Sequence, residues 1–140
     1  MAVIDPTTEL GEAVTERLED ELIIWLTTIG TTGAAHPRPV WFLWEKDELL
    51  IYSKADGAKL RHIARDGRVA LNFNTGEDGG SVAVINGLAR IVADAPKATA
   101  VPAYIAKYKS AIADIGLTPE SFAAAYSVTI RVTPEKLWGF

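Results

Sequence analysis

The residues best suited to chemistry lie in one run, Ile51-Tyr52-Ser53-Lys54-Ala55-Asp56-Gly57-Ala58-Lys59-Leu60-Arg61-His62-Ile63. Its pattern reads as a strand end, a tight turn and a helix start. A helix N-terminus presents unpaired backbone N–H groups and a partial positive charge, so an oxyanion beside Ser53 and Lys59 is favoured twice over. Over residues 54–68, Lys54, Lys59, Arg61, Arg65 and Arg68 stand against only Asp56 and Asp66, a basic island in a chain of net charge −4. The same charges also suit a plain solvated helix face. A second run, Pro39-Val40-Trp41-Phe42-Leu43-Trp44, is apolar on both faces. Such a strand is either buried on both sides or covers something outside its own core, a partner subunit or the flat face of an aromatic ligand.

Other chemistries find little support. Cysteine is absent, which removes disulfides, thiolate metal sites and cysteine nucleophiles and fits a reducing cytoplasm. Two histidines are too few for a histidine-rich metal site. Neither His36 nor His62 has a serine or carboxylate at the spacing of a nucleophile motif. No GxSxG, HExxH, P-loop or GxGxxG pattern occurs, so no residue is assigned as acid, base or nucleophile. Gly76, Gly79 and Gly80 surround Glu77 and Asp78, a turn too acidic for phosphate. Tyr104 and Tyr108 read as core or interface aromatics. The pI near 5.2 argues against nucleic-acid binding through overall charge. Residues 1–9 lack a basic start followed by an apolar core, and the apolar runs 22–26 and 40–44 are far shorter than the ~20 residues that cross a membrane. The expectation is a soluble, cytoplasmic protein without nucleic-acid, membrane or metal partners.

The elements that position these residues follow from periodicity and punctuation. Leu10, Val14 and Leu18 form one apolar stripe of a helix over residues 9–20, capped by Thr7 or Thr8. Residues 22–29 read as a strand ending at the hairpin signal Gly30-Thr31-Thr32-Gly33. The returning strand is expected over 40–44, with Pro37 and Pro39 marking an edge because neither can donate to a ladder. A turn at 45–48 leads to a third strand, 49–53, then a short helix, 57–65, and a fourth strand, 69–74. Residues 81–94 form one long strand or two, bent at Gly87. Helices follow, one through Val101, Tyr104, Ile105, Tyr108, Ile112 and Ile115, and one capped by Thr118 with Pro119 at its first position. The last strand runs over 128–132. Trp138 and Phe140, two large aromatics near the C-terminus, are expected to be docked across a subunit interface. No linker or repeat divides the 140 residues, so a single domain over 1–140 is expected, α+β, with an antiparallel six-stranded barrel and flanking helices.

In their order these segments, with Gly33-Ala34-Ala35-His36-Pro37, Pro39-Val40-Trp41-Phe42, Ile51-Tyr52-Ser53 and Ala58-Lys59-Leu60-Arg61, resemble the FMN-binding split-barrel superfamily of pyridoxamine 5'-phosphate oxidase-like proteins. Within it the chain is most similar to flavin and deazaflavin oxidoreductases that use coenzyme F(420), the closing Gly139-Phe140 included. The resemblance covers essentially the whole chain. It implies a homodimer with cofactor sites at the subunit interface and hydride transfer between F(420), or alternatively FMN, and a small electron-poor substrate. A non-catalytic cofactor-binding protein is the remaining alternative.

By position, the resemblance implies that Tyr52, Ser53 and Lys59, with Lys54 nearby, grip the cofactor phosphate, and that Val40, Trp41 and Phe42 lie along the ring. Arg61 or Arg65 would meet the acidic tail of F(420). Pyridoxamine-phosphate oxidases carry an Arg-Lys pair where this chain has Ala58-Lys59, and further basic residues near the C-terminus where this chain has only Lys136. Oxidation of pyridoxamine phosphate is therefore not expected.

Overall fold

The computed structural model describes residues 2–140; Met1, included in the expected domain, lies outside the described residues. Helix α1 (Glu9–Asp20) is followed by strands β1 (Ile24–Ile29), β2 (Ala35–Val40), β3 (Leu43–Glu45) and β4 (Glu48–Ser53), helix α2 (Ala58–Arg65), and strands β5 (Arg68–Asn72) and β6 (Ala83–Val92). A 3-10 turn (Ala98–Ala100), α3 (Pro102–Asp114) and α4 (Pro119–Ala125) precede the last strand, β7 (Val128–Gly139). The strands form one sheet in the order β2-β1-β5-β6-β7-β4-β3, antiparallel throughout. It curls into a half-barrel, the expected α+β architecture.

Among the described residues there are seven strands rather than six. The single strand expected over 40–44 is two elements, with residues 41–42 between them in no ladder. Pro37 and Pro39 sit inside β2, at the sheet edge, where a missing donor is tolerated. The Phe42 N–H goes instead to the Tyr108 hydroxyl at 2.8 Å, and the Phe42 carbonyl accepts from Lys107 Nζ at 2.9 Å. Both backbone groups of Phe42 are thus satisfied by α3, so the chain leaves one strand and starts another without a buried polar orphan. The last strand is also longer than expected. β7 pairs with β6 from Ala83↔Gly139 to Val92↔Thr129, and Pro134 falls opposite Gly87 at a bulge. A Cβ at Gly87 would stand 2.5 Å from the Thr133 carbonyl oxygen, so only glycine permits that approach.

Two cores flank β4. Leu49 and Ile51 face a cluster with Val14, Leu18, Ile24, Leu26, Phe42, Leu71 and Ile85. Leu50 and Tyr52 face a second cluster with Tyr104, Tyr108, Ile112 and Phe122 from α3 and α4. Because successive strand residues point to opposite faces, β4 is buried on both. The strand is thereby fixed, and its last residues, Tyr52 and Ser53, are delivered to one place beside the start of α2.

Candidate functional site

The C-terminal end of β4, the turn after it and the first turn of α2 form one side of a cleft of about 270 Å³. Ser53, Lys54, Gly57 and Lys59 line this side together with one carboxylate, Asp56; Pro39, Val40 and Trp41 line the other, and Tyr104, Phe122 and Tyr126 the floor. The polar side is built for an anion. Gly57 caps α2 without any side-chain hydrogen bond, and no acidic residue occupies the first turn. The helix start therefore keeps its free N–H groups and its partial positive charge.

Gly57 measures the fit. A Cβ placed there would lie 3.0 Å from Ser53 Oγ, 3.3 Å from the Lys54 carbonyl oxygen and 3.8 Å from Lys59 Nζ. The missing side chain leaves the backbone open to a ligand between a hydroxyl, an ammonium and a helix N-terminus. Ser53 is buried, and its hydroxyl now donates to the Lys54 carbonyl at 3.0 Å. A hydroxyl rotates, so the same proton can turn to an arriving oxyanion. Lys59 is half-buried and has no carboxylate in ion-pair distance among the described residues. Burial, and then the Arg38 guanidinium, hold its pKa below the usual lysine value. An ammonium short of solvent and of a counter-ion gains from an anion.

The opposite wall is aromatic. Trp41 lies flat on Tyr108, with ring centroids 4.7 Å apart and planes 8° apart, and stacks on Phe122 at 5.5 Å. Tyr104 is pushed above the usual phenol range by burial, and Tyr52 likewise. Both hydroxyls stay protonated. Tyr52 donates its proton to the Pro96 carbonyl at 3.1 Å, away from the cleft.

The residues named from the sequence separate cleanly. Val40, Trp41, Tyr52, Ser53, Lys54 and Lys59 meet in the cleft. Phe42 does not: it is fully buried in the main core, and its backbone groups serve α3. Ala58 lines a neighbouring groove with Lys59, and Arg61 stands exposed outside both. Arg65 is engaged elsewhere, donating to the Ile29 carbonyl at 3.0 Å and to the Gly30 carbonyl, so it fastens α2 to the β1–β2 turn. Gly57 was read as part of the turn and helix start without a role in the site, and Tyr126 went unnamed. The position of Gly57 just before a helix start is a local signal for a backbone-lined anion site, whereas nothing local marks Tyr126.

The sequence profile of the pyridoxamine 5'-phosphate oxidase family matches residues 10–140. The chain belongs to that family. Among solved structures it is similar to an F(420) reductase (23% identity, TM-score 0.69, covering 88% of this chain and 94% of that one). It is also similar to the heme storage protein HutZ of Vibrio cholerae (12%, 0.67, 94% and 95%) and to a FAD-binding protein of Mesorhizobium loti (16%, 0.64, 88% and 88%). At these identities the likeness is one of fold. No curated protein matches the sequence. Among the described residues no helix is long and apolar enough to cross a membrane.

Proposed function

We propose that the protein is an oxidoreductase that binds coenzyme F(420) and acts on a small electron-poor organic molecule. The observation that carries the reading is the Gly57 cradle, with Ser53, the uncompensated Lys59 and an uncapped helix start around it and an aromatic wall adjoining. When bound, the deazaflavin supplies the hydride chemistry. The protein then has to anchor, orient and keep water out, which accords with the lack of a nucleophile motif. Ser53 and Lys59 hold the phosphate, and Val40 and Trp41 form the wall along the ring. Tyr104, Phe122 and Tyr126 close the floor against solvent. FMN, which shares the phosphate, is the second cofactor this cradle suits, and the family and the FAD-binding neighbour favour keeping it in view.

The proposal includes a homodimer. A cleft of about 270 Å³ lies at the small end of the ~300–1,000 Å³ typical of small-molecule sites, and a second copy would enlarge it around a three-ring cofactor. Trp138 and Phe140 remain exposed on the outer side of β7, available for that contact.

The deciding experiment is a fluorescence titration of the protein with F(420) and with FMN. Micromolar or tighter F(420) binding, with weaker FMN binding, supports the proposal. Preference for FMN replaces the cofactor, and binding of neither overturns the reading. Turnover against quinones, nitroaromatics and unsaturated carbonyl compounds separates an enzyme from a storage protein.

A further inference from the structure

We propose that the cavity enclosed by the β3–β4 turn, β7 and the segment joining β6 to α3 binds a small zwitterion, an α-amino acid with an aliphatic side chain. The cavity has a volume of about 220 Å³ and shares only Tyr52 with the cleft described above. The β4–β7 register sets Leu50 opposite Arg131 and Tyr52 opposite Thr129, so these four side chains share one face of the sheet and line the cavity together. The Tyr52 hydroxyl donates to the Pro96 carbonyl at 3.1 Å, which fixes the wall across from the sheet.

Three polar side chains of this wall lack hydrogen bonds. The Arg131 side chain is only 17% exposed, yet among the described residues its guanidinium donates to nothing. It stands 3.7 Å from Glu45 and 3.7 Å from Glu48, charge contacts beyond hydrogen-bond reach. Glu48 is engaged elsewhere, accepting from Arg90 and Thr133, whereas Glu45 accepts no hydrogen bond among the described residues. Thr129 is 4% exposed, and its hydroxyl is likewise without a partner among them. Buried polar groups are almost always hydrogen-bonded, so a guanidinium, a carboxylate and a hydroxyl left open beside one cavity point to an occupant. The charges set its class. A simple anion drawn to Arg131 would also meet Glu45, and a simple cation drawn to Glu45 would meet Arg131. A ligand with both signs suits both: its carboxylate accepts from Arg131 and Thr129, and its ammonium donates to Glu45. Leu50, Ala95 and Val101 keep the rest of the lining apolar, which matches an aliphatic side chain.

L-Alanine, L-valine and L-leucine are the probes, titrated into the full chain and followed by backbone-amide NMR. At least one should saturate with a dissociation constant of about 1 mM or tighter, and the shifts should centre on Glu45, Thr129 and Arg131. Each charge of L-leucine can be removed alone, in L-leucinamide and in 2-hydroxy-4-methylpentanoate, which keep its shape. Both should bind roughly tenfold more weakly or worse, having lost a charge-assisted hydrogen bond. Arg131→Met, which preserves side-chain bulk, and Glu45→Gln should weaken the amino acid by a similar factor. No saturable binding of the three amino acids would overturn the site and leave the cavity to water. Equal binding of either derivative, or affinity unchanged in either folded variant, would overturn it as well. The derivatives are compared on the wild type, so the test stands even where a variant fails to fold, and no outcome depends on F(420) or FMN.

Discussion

The Tyr108 hydroxyl accepts the Phe42 N–H at 2.8 Å and donates to the Leu22 carbonyl at 2.7 Å, so one side chain of α3 ties down both ends of the β1–β2 hairpin. The same ring carries Trp41, stacked 4.7 Å away on its face. A fully buried tyrosine thus sets the break between β2 and β3 and orients the aromatic wall of the cleft.

Tyr108→Phe keeps the stack and removes the hydroxyl. The Phe42 N–H then has no partner in a dry core, which costs about 1–3 kcal/mol. Denaturant unfolding should show a lower midpoint with an unchanged slope. An unchanged midpoint would mean that the hydrogen bond contributes nothing net.

Gly57→Ala separates binding from folding. The Gly57 φ of −64° is open to any residue, so replacing glycine should stabilise the chain slightly, by about 0.4–1 kcal/mol, less the tight contact with Ser53 Oγ. The new methyl fills the cradle. Cofactor affinity should fall at least tenfold while thermal stability holds. Retained affinity would move the phosphate out of this cradle.

Lys59→Ala removes a half-buried ammonium near Ser53 that has no carboxylate in ion-pair distance among the described residues. A charge-assisted hydrogen bond of ~1.5–3 kcal/mol corresponds to roughly a 10- to 150-fold loss of affinity for a phosphate-bearing cofactor. The loss should diminish at high salt, and unfolding should be little changed. Equal affinities of variant and wild type by fluorescence titration would end the anchoring role.

These positions differ in how legible they were. Features governed by neighbours in sequence were readable: the Thr8 cap of α1, the Thr118 cap of α4, the bend at Gly87, and the strand–turn–helix that sets Ser53 beside Lys59. The break at residues 41–42 was not, because its cause is a tyrosine on α3, far along the chain. Phe42 was assigned to the ring face on its position in a resemblance, whereas its backbone bonds to α3 and its ring is buried in the main core. The His36–His62 pair was invisible for the same reason. The two residues meet only through the β1–β2 register and the way α2 packs on β1.

Acid should loosen the end of the sheet. Glu48 receives Arg90 Nη1 at 2.8 Å, Arg90 Nη2 at 3.0 Å and the Thr133 hydroxyl at 2.7 Å, joining β4, β6 and β7. The Arg90 hydrogen bonds hold its pKa down at about 2, against an ordinary 4.5. A depressed carboxylate stabilises the fold fully above its ordinary value and loses that contribution as pH falls from 4.5 toward 2. The wild type should therefore lose stability over this window, and Glu48→Gln should show a shallower slope. Parallel pH profiles of the denaturation midpoint would count against the assignment.

The C-terminal aromatics test the subunit contact. The backbone of Phe140 is already paired with Val82, at 2.9 and 3.0 Å, and Trp138 stands opposite Val84 in the ladder, so the chain here is fixed. Yet the two rings meet mainly each other, edge to face at 5.8 Å, and are 55% and 71% exposed. Large rigid aromatics are the side chains that most often anchor a protein interface, where losing one costs about 2 kcal/mol or more. Trp138→Ser should therefore raise the dimer dissociation constant roughly 30-fold in sedimentation equilibrium. The circular dichroism of the monomer should be unchanged, because the ring contributes little to either core. If the partner completes the cleft, cofactor affinity will fall with dimer content and recover at high protein concentration. A wild type that sediments as a monomer at tens of micromolar would remove the dimer.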